Sequence, residues 1–511
     1  MGTAVAGFVA FCVLPLAYML VQPATTAGAY AALLLDARQR VLLVNTAVLG
    51  TGTAMLATAI GAPLGLMLAR GALPFTPAWR IALAAPVLLP PYITALAWLY
   101  LGGSAGLVAA LTSRDLLSGW TYSLPGAVLV LSLVFYPLSM LTTEVALRRI
   151  DRRLEEAALI VASPGRVLRR ITLPLVAPSV AAAALVIFVL AISEFGVPGL
   201  LRVRVFTTEV FTAFAALYDS GLATMLTLPL LALAIVIAVG SALLIGDRLL
   251  ATRRGIQRVP LAFTGWTRLT YGWASCVLAV ALVTPLAVLT REALALSSMA
   301  GILQGSGAAI RKSLIMSVVG ASAVTLLAVW LGYGRARARR RTGIVVDAVF
   351  LVLFAVPSTV IGVGLIGIWN RTGMFGGIYG TDAMLLFAYL ARFLPMAALA
   401  LAAGIRYVPI SHEEAAAVAG AGWWRTSTRI VLPQIGLALL ATWTIVFILA
   451  FGELGASILV APAGETTLPI RIYTLIANAP TAHVAALALL QSAVVFTPLA
   501  LLAVMATRGT R

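Results

Sequence analysis

The chain has 511 residues, of which 62% are hydrophobic and only 10% charged, and its mean hydropathy is +1.05. Soluble globular domains carry about 25% charged residues, so this composition excludes a soluble domain and indicates a polytopic membrane protein. The net charge of +18 is then read first as a bias between the two faces of the membrane, and no nucleic-acid partner is expected.

A spanning helix needs about 20 mostly apolar residues. In chain order, runs of that kind occupy 4–21, 42–69, 81–101, 126–147, 179–197 and 222–245. Six more follow at 272–289, 313–333, 344–369, 383–403, 435–451 and 484–505. About twelve transmembrane helices in an all-α fold are therefore expected. The first run lacks a basic leader and a small-residue cleavage site, so it reads as a retained span. Cys12 and Cys276 both sit inside apolar runs, which points away from a disulfide framework or a thiolate metal site.

Arginine sets the orientation. Arg148, Arg149, Arg152, Arg153, Arg166, Arg169 and Arg170 share one loop, Arg248 to Arg268 hold five more, and Arg335 to Arg341 another five. With twelve spans and the N-terminus inside, all three clusters fall on one face, and basic residues mark the cytoplasmic face. Arg38, Arg40, Arg202 and Arg204 fall on the other face, so the asymmetry is a bias only.

The spans repeat. Glu155 and Glu414 are 259 residues apart (414 − 155), as are Pro174 and Pro433, Glu194 and Glu453, and Gly196 and Gly455. Thr207 and Thr208 meet Thr466 and Thr467 at the same offset. Earlier in each half the offset is 267: Gly65 meets Gly332, Arg70 meets Arg337, and Pro90 meets Pro357. Eight extra residues around Gly102 to Leu124 account for the change. Expected domains are a first repeat at 1–250, a cytoplasmic linker at 251–268 and a second repeat at 269–511. Six spans per repeat give both halves one orientation, so the two should be parallel, about an axis along the membrane normal, with a path at their interface.

Between the fourth and fifth spans of each half lies a polar loop: "LEEAALIVASPGRVLRRITLPL" (154–175) and "HEEAAAVAGAGWWRTSTRIVLPQ" (412–434). Alanines after the acidic pair favour helix, Gly420 and Gly422 allow a turn, and Pro433 restarts the chain because the residue before proline avoids helix. The plain alternative is a solvated connector. Glu414, Ala415, Ala416, Gly420, Ile430, Leu432 and Pro433 are similar, position by position, to the signature of the inner-membrane permeases of binding-protein-dependent ABC importers. The resemblance covers nearly the whole chain, as two family domains fused in tandem, and is nearest the iron(III) importers. The "EFG" and "ARFLP" stretches lean the same way.

That resemblance implies a multi-pass protein of the bacterial inner membrane, itself not an enzyme and binding no cofactor. Its implied partners are membrane lipid, two copies of a cytosolic ABC ATPase that use the ATP, and a periplasmic or lipid-anchored solute-binding protein. The loops would be coupling helices seated in the ATPase, with a glutamate as anchor. The first loop departs from the signature. Its constant distance to Leu173-Pro174 makes Glu155 the counterpart of Glu414, leaving Glu156 where the family has alanine and Val161 where it has glycine. Reading Glu156-Ala157-Ala158 as the motif instead costs a one-residue deletion. Pro164-Gly165 is the expected turn.

Other features carry less. "GSGAAIRKS" (305–313) lacks the Gly-Lys-Ser/Thr of a phosphate-binding loop. His412 and His483 have no partner at metal spacing, so no metal site is expected. Glu194 and Glu453, at equivalent points near the outer ends of two spans, and Arg392, inside the tenth, are the ionisable groups expected to line a path or to cap spans. Glu144 beside Arg148 and Arg149 reads as an interfacial ion pair. Thiamine, phosphonate and polyamine importers remain alternatives for the solute. An ion-coupled secondary transporter leaves the duplicated loop unexplained, and a membrane-embedded enzyme lacks a cluster of His, Asp or Cys.

Overall fold

The computed structural model describes residues 2–21, 36–70, 73, 75–245, 267–295, 299–371 and 377–508. Every regular element among them is helical. Nine of these helices are long and apolar enough to cross a membrane, or eleven if each of two bent pairs counts as one span. Ser220–Ile245, with its shorter apolar stretch Gly221–Ile237, occupies the remaining expected run. A bilayer offers backbone groups no water, so helices that satisfy their own hydrogen bonds are the natural way across. Of the expected linker, residues 251–266 lie outside the described residues.

Several spans are not the single helices that hydrophobicity suggests. The run 81–101 is divided into Thr76–Ala84, a 3-10 turn at Ala85–Leu88, and Pro91–Gly102. Pro90 and Pro91 supply no backbone N–H, so the helix cannot continue through them. The run 344–369 is Arg340–Ala355 followed, across Val356-Pro357, by Ser358–Trp369 at 93°. Trp423–Gln434 meets Gly436–Phe451 at 76°. The run 179–197 ends as a helix at Ser193, one residue before Glu194.

Proline acts differently where the helix does continue. Four π-helical turns, Val9–Val13, Leu168–Thr172, Ala279–Val283 and Ser427–Val431, are each followed by one residue and then Pro15, Pro174, Pro285 or Pro433. A proline ring clashes with the carbonyl four residues back and cannot bond to it. Widening the preceding turn relieves that clash without ending the helix. Leu173-Pro174 therefore lies within the continuous run Pro164–Ser193, and the expected restart at Pro433 does not occur either: Leu432 is helical within Trp423–Gln434, and the bend follows at Ile435.

The first spans are exchanged. Leu14–Val21 packs on Ser358–Trp369, and Val9–Val13 on Ala383–Arg406, all late in the chain. Thr284–Ala293 packs on Pro91–Gly102, and Thr267–Leu278 on Thr76–Ala84, all early in it. Elsewhere, Ala37–Ala69 runs along Leu124–Arg148 and Met299–Arg337 along Ala383–Arg406. Small residues permit the first of these close crossings, as is usual between membrane helices. A Cβ on Gly61 or Gly65 would collide with the carbonyl oxygens of Tyr136 and Met140, respectively. At the second crossing a Cβ on Gly332 would lie 3.0 Å from the carbonyl of Ala398.

This packing makes a prediction. Gly65→Val forces the Ala37–Ala69 and Leu124–Arg148 helices apart and should cost about 1–3 kcal/mol, the usual range for overpacking. Gly272→Ala, where a Cβ meets nothing within 4 Å, should leave stability unchanged. Thermal unfolding of the detergent-purified chain measures both, and equal melting of the two variants would contradict the close-packing account.

Candidate functional site

The two polar loops have the same scaffold and differ in detail. In the first, Asp151 caps the Arg152–Leu159 helix, the chain turns at 160–163, and a second helix begins at Pro164. In the second, Ile410–Val418 is followed by a turn in which Gly420 has φ +77°, and helix resumes at Trp423. That positive φ is the conformation expected of Gly420. Gly165 does not play the corresponding part. It lies within the Pro164–Val167 helix, and no residue between 160 and 165 has a positive φ.

Each loop is held to the preceding spans by an arginine. Arg70 Nη1 donates to Glu155 Oε2 at 2.7 Å, Arg70 Nη2 to Oε1, and the Thr172 hydroxyl to Oε1 at 2.7 Å. Arg337 Nε donates to Glu413 Oε1 at 2.8 Å, with its Nη2 on the same oxygen, while the Tyr333 hydroxyl reaches Oε2 at 2.6 Å. Arg70 and Arg337 are themselves 267 apart, so the geometry makes Glu413 the counterpart of Glu155, at 258. This corrects the expected pairing of Glu155 with Glu414. The one-residue slip falls within the loop, because the π turns and Leu173-Pro174 and Leu432-Pro433 that follow remain 259 apart. Signature residues Glu156-Ala157-Ala158 thus align with Glu414-Ala415-Ala416.

The slip changes which carboxylates are accessible. Glu155 is buried, whereas Glu156 and Glu414 are exposed, and Ala416 faces inward. Burial by itself would raise the Glu155 carboxyl, but hydrogen bonds from Arg70 and Thr172 outweigh it and hold the group below the usual carboxylate range. The clamp therefore stabilises the loop at neutral pH and is lost only as pH falls through that depressed folded-state value. At the loop tips Ile160, Val161 and Val418 are almost fully exposed. Trp424 stacks on Trp330, with ring centroids 5.2 Å apart, beside Trp423.

A second group of charges gathers where the early and late spans meet. Past Ser193 the chain turns extended at Glu194, whose Oε1 accepts from the Gly196 N–H at 3.0 Å. Past Phe451, Glu453 accepts from the N–H groups of Ala456 and Ser457, both at 2.9 Å, and from the Ser457 hydroxyl at 2.6 Å. Each glutamate thus caps a short helix, Gly196–Leu200 or Ser457–Val460. Arg392 donates to the carbonyls of Phe354, at 3.4 Å, and Val356, at the end of the Arg340–Ala355 helix. Arg392 also lies within Coulombic range of both Glu194 and Glu453.

The surroundings of these charges are tight. A Cβ on Gly452 would come within 2.8 Å of the Pro90 ring, and one on Gly196 within 2.7 Å of Tyr92 Cβ. The Tyr92 hydroxyl donates to Gln491, and Gln491 donates to the Phe451 carbonyl at 3.2 Å. Of the alternatives that sequence left open, the structure shows capping by both glutamates, and it sets Arg392 on backbone carbonyls.

Other residues fall elsewhere. Glu144 takes Arg80 Nη2 and Arg148 Nη2, each at 2.6 Å, in the ion pair expected for it. Residues 305–313 form part of the Met299–Arg337 helix, and the Ser313 hydroxyl accepts from the Leu468 N–H at 2.6 Å. The Thr46 hydroxyl similarly accepts from the Phe206 N–H at 3.1 Å. These anchors set Phe206 against Leu468, 262 apart, so the offset of 259 does not continue to Thr207 and Thr208. Among the described residues no group of three or more His, Cys, Asp or Glu is placed to hold a metal ion. Arg70, Arg337 and Tyr333 were not foreseen as loop anchors, although the repeated Arg70 and Arg337 were visible. Nor was the match of Pro15 to Pro285, 270 apart and each after a π turn.

Known proteins agree with this architecture. The pattern of the family described as binding-protein-dependent transport system inner membrane component matches residues 324–508. An Fe(3+)-transport system permease protein of Haemophilus influenzae is 26% identical over 448 residues, covering 86% of this chain and 85% of that protein. The ferric transport system permease protein of Actinobacillus pleuropneumoniae is 24% identical, with 74% of this chain and 58% of that protein covered. A probable molybdenum ABC transporter permease protein of Haloferax volcanii is 33% identical over 187 residues, which cover 35% of this chain and 67% of that protein. The all-helical spans, the paired loops and these similarities agree: the chain belongs to the family of inner-membrane permeases of binding-protein-dependent ABC importers.

Proposed function

We propose that the chain forms the whole solute path of an iron(III)-type importer, through two permease domains at 1–250 and 269–511 joined by the linker 251–268. Similarity to an Fe(3+)-transport permease along 86% of the chain carries this reading. The two-domain division is supported by the paired π turns, the paired breaks at Pro90 and Pro357, and the exchanged first spans. Two copies of a cytosolic ATPase hydrolyse the ATP, and a periplasmic or lipid-anchored binding protein delivers the solute. This chain binds no cofactor of its own.

Coupling in this reading passes through the exposed faces of the loop helices. Glu156 and Glu414 present carboxylates outward, Ala157, Ala158, Ala415 and Ala417 keep the helix surface narrow, and Ile160, Val161 and Val418 offer apolar tips. Charge-assisted bonds to a basic partner are about twice as strong as neutral ones. Glu155 and Glu413 serve differently: with Arg70 and Arg337 they transmit a push on the loop into the spans. Gly420 sets the turn of the second loop, Gly165, Leu173 and Pro174 lie in the continuous Pro164–Ser193 run into the next span, and Leu432 and Pro433 lead into the 76° bend of the second half.

The path runs between the halves, past Glu194, Glu453 and Arg392. A molybdenum or phosphonate permease would carry an oxyanion. Two carboxylates against one guanidinium favour a cation, because a cleft lined by one sign of charge concentrates the opposite sign.

Two results are expected. First, Glu414→Lys should weaken ATPase co-purification while leaving the melting temperature unchanged. Glu155→Ala should instead lower that temperature, since removing one partner of a buried ion pair costs about 3–5 kcal/mol. A stability loss in the lysine variant and none in the alanine variant would reverse the assignment. Second, radiolabelled iron(III), delivered by the binding protein to vesicles holding permease and ATPase, should accumulate with ATP. Glu194→Gln with Glu453→Gln should slow that accumulation at least tenfold without loss of ATPase assembly. Normal uptake by the double variant would remove both glutamates from the path.

A further inference from the structure

The three charges where the halves meet do not obey the symmetry of their surroundings. Glu194 and Glu453 are 259 apart and each caps the short helix that follows it. Arg392 has no such counterpart. Set against the in-helix prolines Pro137 and Pro395, which are 258 apart, "VFYP" stands opposite "RFLP", and Val134 occupies the place of Arg392. The early half closes the end of its broken helix with a neutral group, the Tyr136 hydroxyl donating to the Leu83 carbonyl at 2.7 Å. The late half uses the Arg392 guanidinium on the carbonyls of Phe354 and Val356.

The early half thus meets a carbonyl near the end of Thr76–Ala84 with a neutral donor, whereas the late half keeps a full positive charge within a span. Ionisable groups at that depth are costly and tend to serve a function. Packing brings the three together: Arg392 holds the Val356 carbonyl, two residues before the Ser358 side chain that a Cβ on Gly455 would meet, and a Cβ on Gly196 would lie 3.4 Å from Leu454, while Gly452 against Pro90 leaves little room beside them.

We propose that Arg392 is a tethered counter-cation: it occupies the electrostatic place of the cargo between Glu194 and Glu453, and so bars free inorganic cations from the resting path. The proposal rests on the reading of the two glutamates as path-lining groups. Without Arg392 the cluster carries two negative charges and no fixed positive one, which makes it an attractive site for a divalent ion. With it, one net negative charge remains and the place of a divalent ion is already filled by the guanidinium, so a free cation finds no vacant site there. Cargo delivered by the binding protein must displace the guanidinium, which its tie to the end of a bent helix allows when that helix moves.

The test separates charge from capping. Arg392→Gln keeps a side-chain donor for the two carbonyls and removes the charge, while Arg392→Lys keeps the charge. The full chain is reconstituted into calcein-loaded vesicles without ATPase or ATP, and entry of Co2+ is followed by quenching. The glutamine variant should admit Co2+ at least tenfold faster than the unmodified chain, the lysine variant at the unmodified rate. Adding Glu194→Gln and Glu453→Gln to Arg392→Gln should abolish the leak. The proposal is overturned if the glutamine variant is as tight as the unmodified chain, or if glutamine and lysine variants leak equally. Should Arg392→Gln not fold, Glu194→Gln with Glu453→Gln in the otherwise unmodified chain leaves Arg392 alone. That variant should favour chloride over Co2+, and an unchanged preference likewise overturns the proposal. ATP-driven iron(III) uptake in the assembled transporter reports on the cargo separately, so an error there is not confused with an error about Arg392.

Discussion

Backbone amides and carbonyls inside a bilayer must find partners within the protein, and this chain repeatedly breaks or distorts its spans where such partners have to be supplied. The helices stop at Ala355 and Ser193, bend near Ile435, and widen at four π turns. The freed groups are met by side chains: Tyr136 on Leu83, Arg392 on Phe354 and Val356, and Glu194 and Glu453 on the amides that follow them. The charged residues of the interior are thus first a consequence of broken helices. Their gathering where early and late helices meet places opposite charges at one level of the span bundle.

The same constraint connects the interior to the loops. Pro164–Ser193 runs from the loop that Glu155 clamps to the residue before Glu194, with a π turn absorbing Pro174 on the way. A displacement of the loop therefore has a continuous helix through which to reach the charge cluster. The late half inserts a 76° bend at the corresponding stage, so the two halves need not respond alike. Arg392 adds to that difference, and so does the Trp330, Trp423 and Trp424 group beside the second loop. Two halves in one chain allow such divergence, because each can change without altering the other.

The exchange of first spans has a further physical effect. Val9–Val13 and Leu14–Val21 lie on late helices, and Thr284–Ala293 lies on early ones. Each half is thereby held by a span belonging to the other. Pro15 and Pro285, each behind a π turn, give both exchanged spans the same local shape.

Hydrophobic runs, arginine placement and fixed offsets determined the helical membrane fold, its twelve expected spans and the doubled loop, while the importer family was legible only as the resemblance of Glu414, Ala415, Ala416, Gly420, Leu432 and Pro433 to a known signature. Those features are local or periodic, and every residue contributes to them. Which glutamate Arg337 would choose was not local: Glu413 and Glu414 are adjacent, and only the rotation of Ile410–Val418 against Met299–Arg337 selects the first. The breaks at Pro90 and Pro357 lay inside runs apolar enough to read as single spans, since hydrophobicity is insensitive to direction. Glu194, Glu453 and Arg392 were recognisable as costly buried charges, but their meeting required three separate helices to converge. That convergence is a property of packing across hundreds of residues, and so the tertiary structure alone decided it.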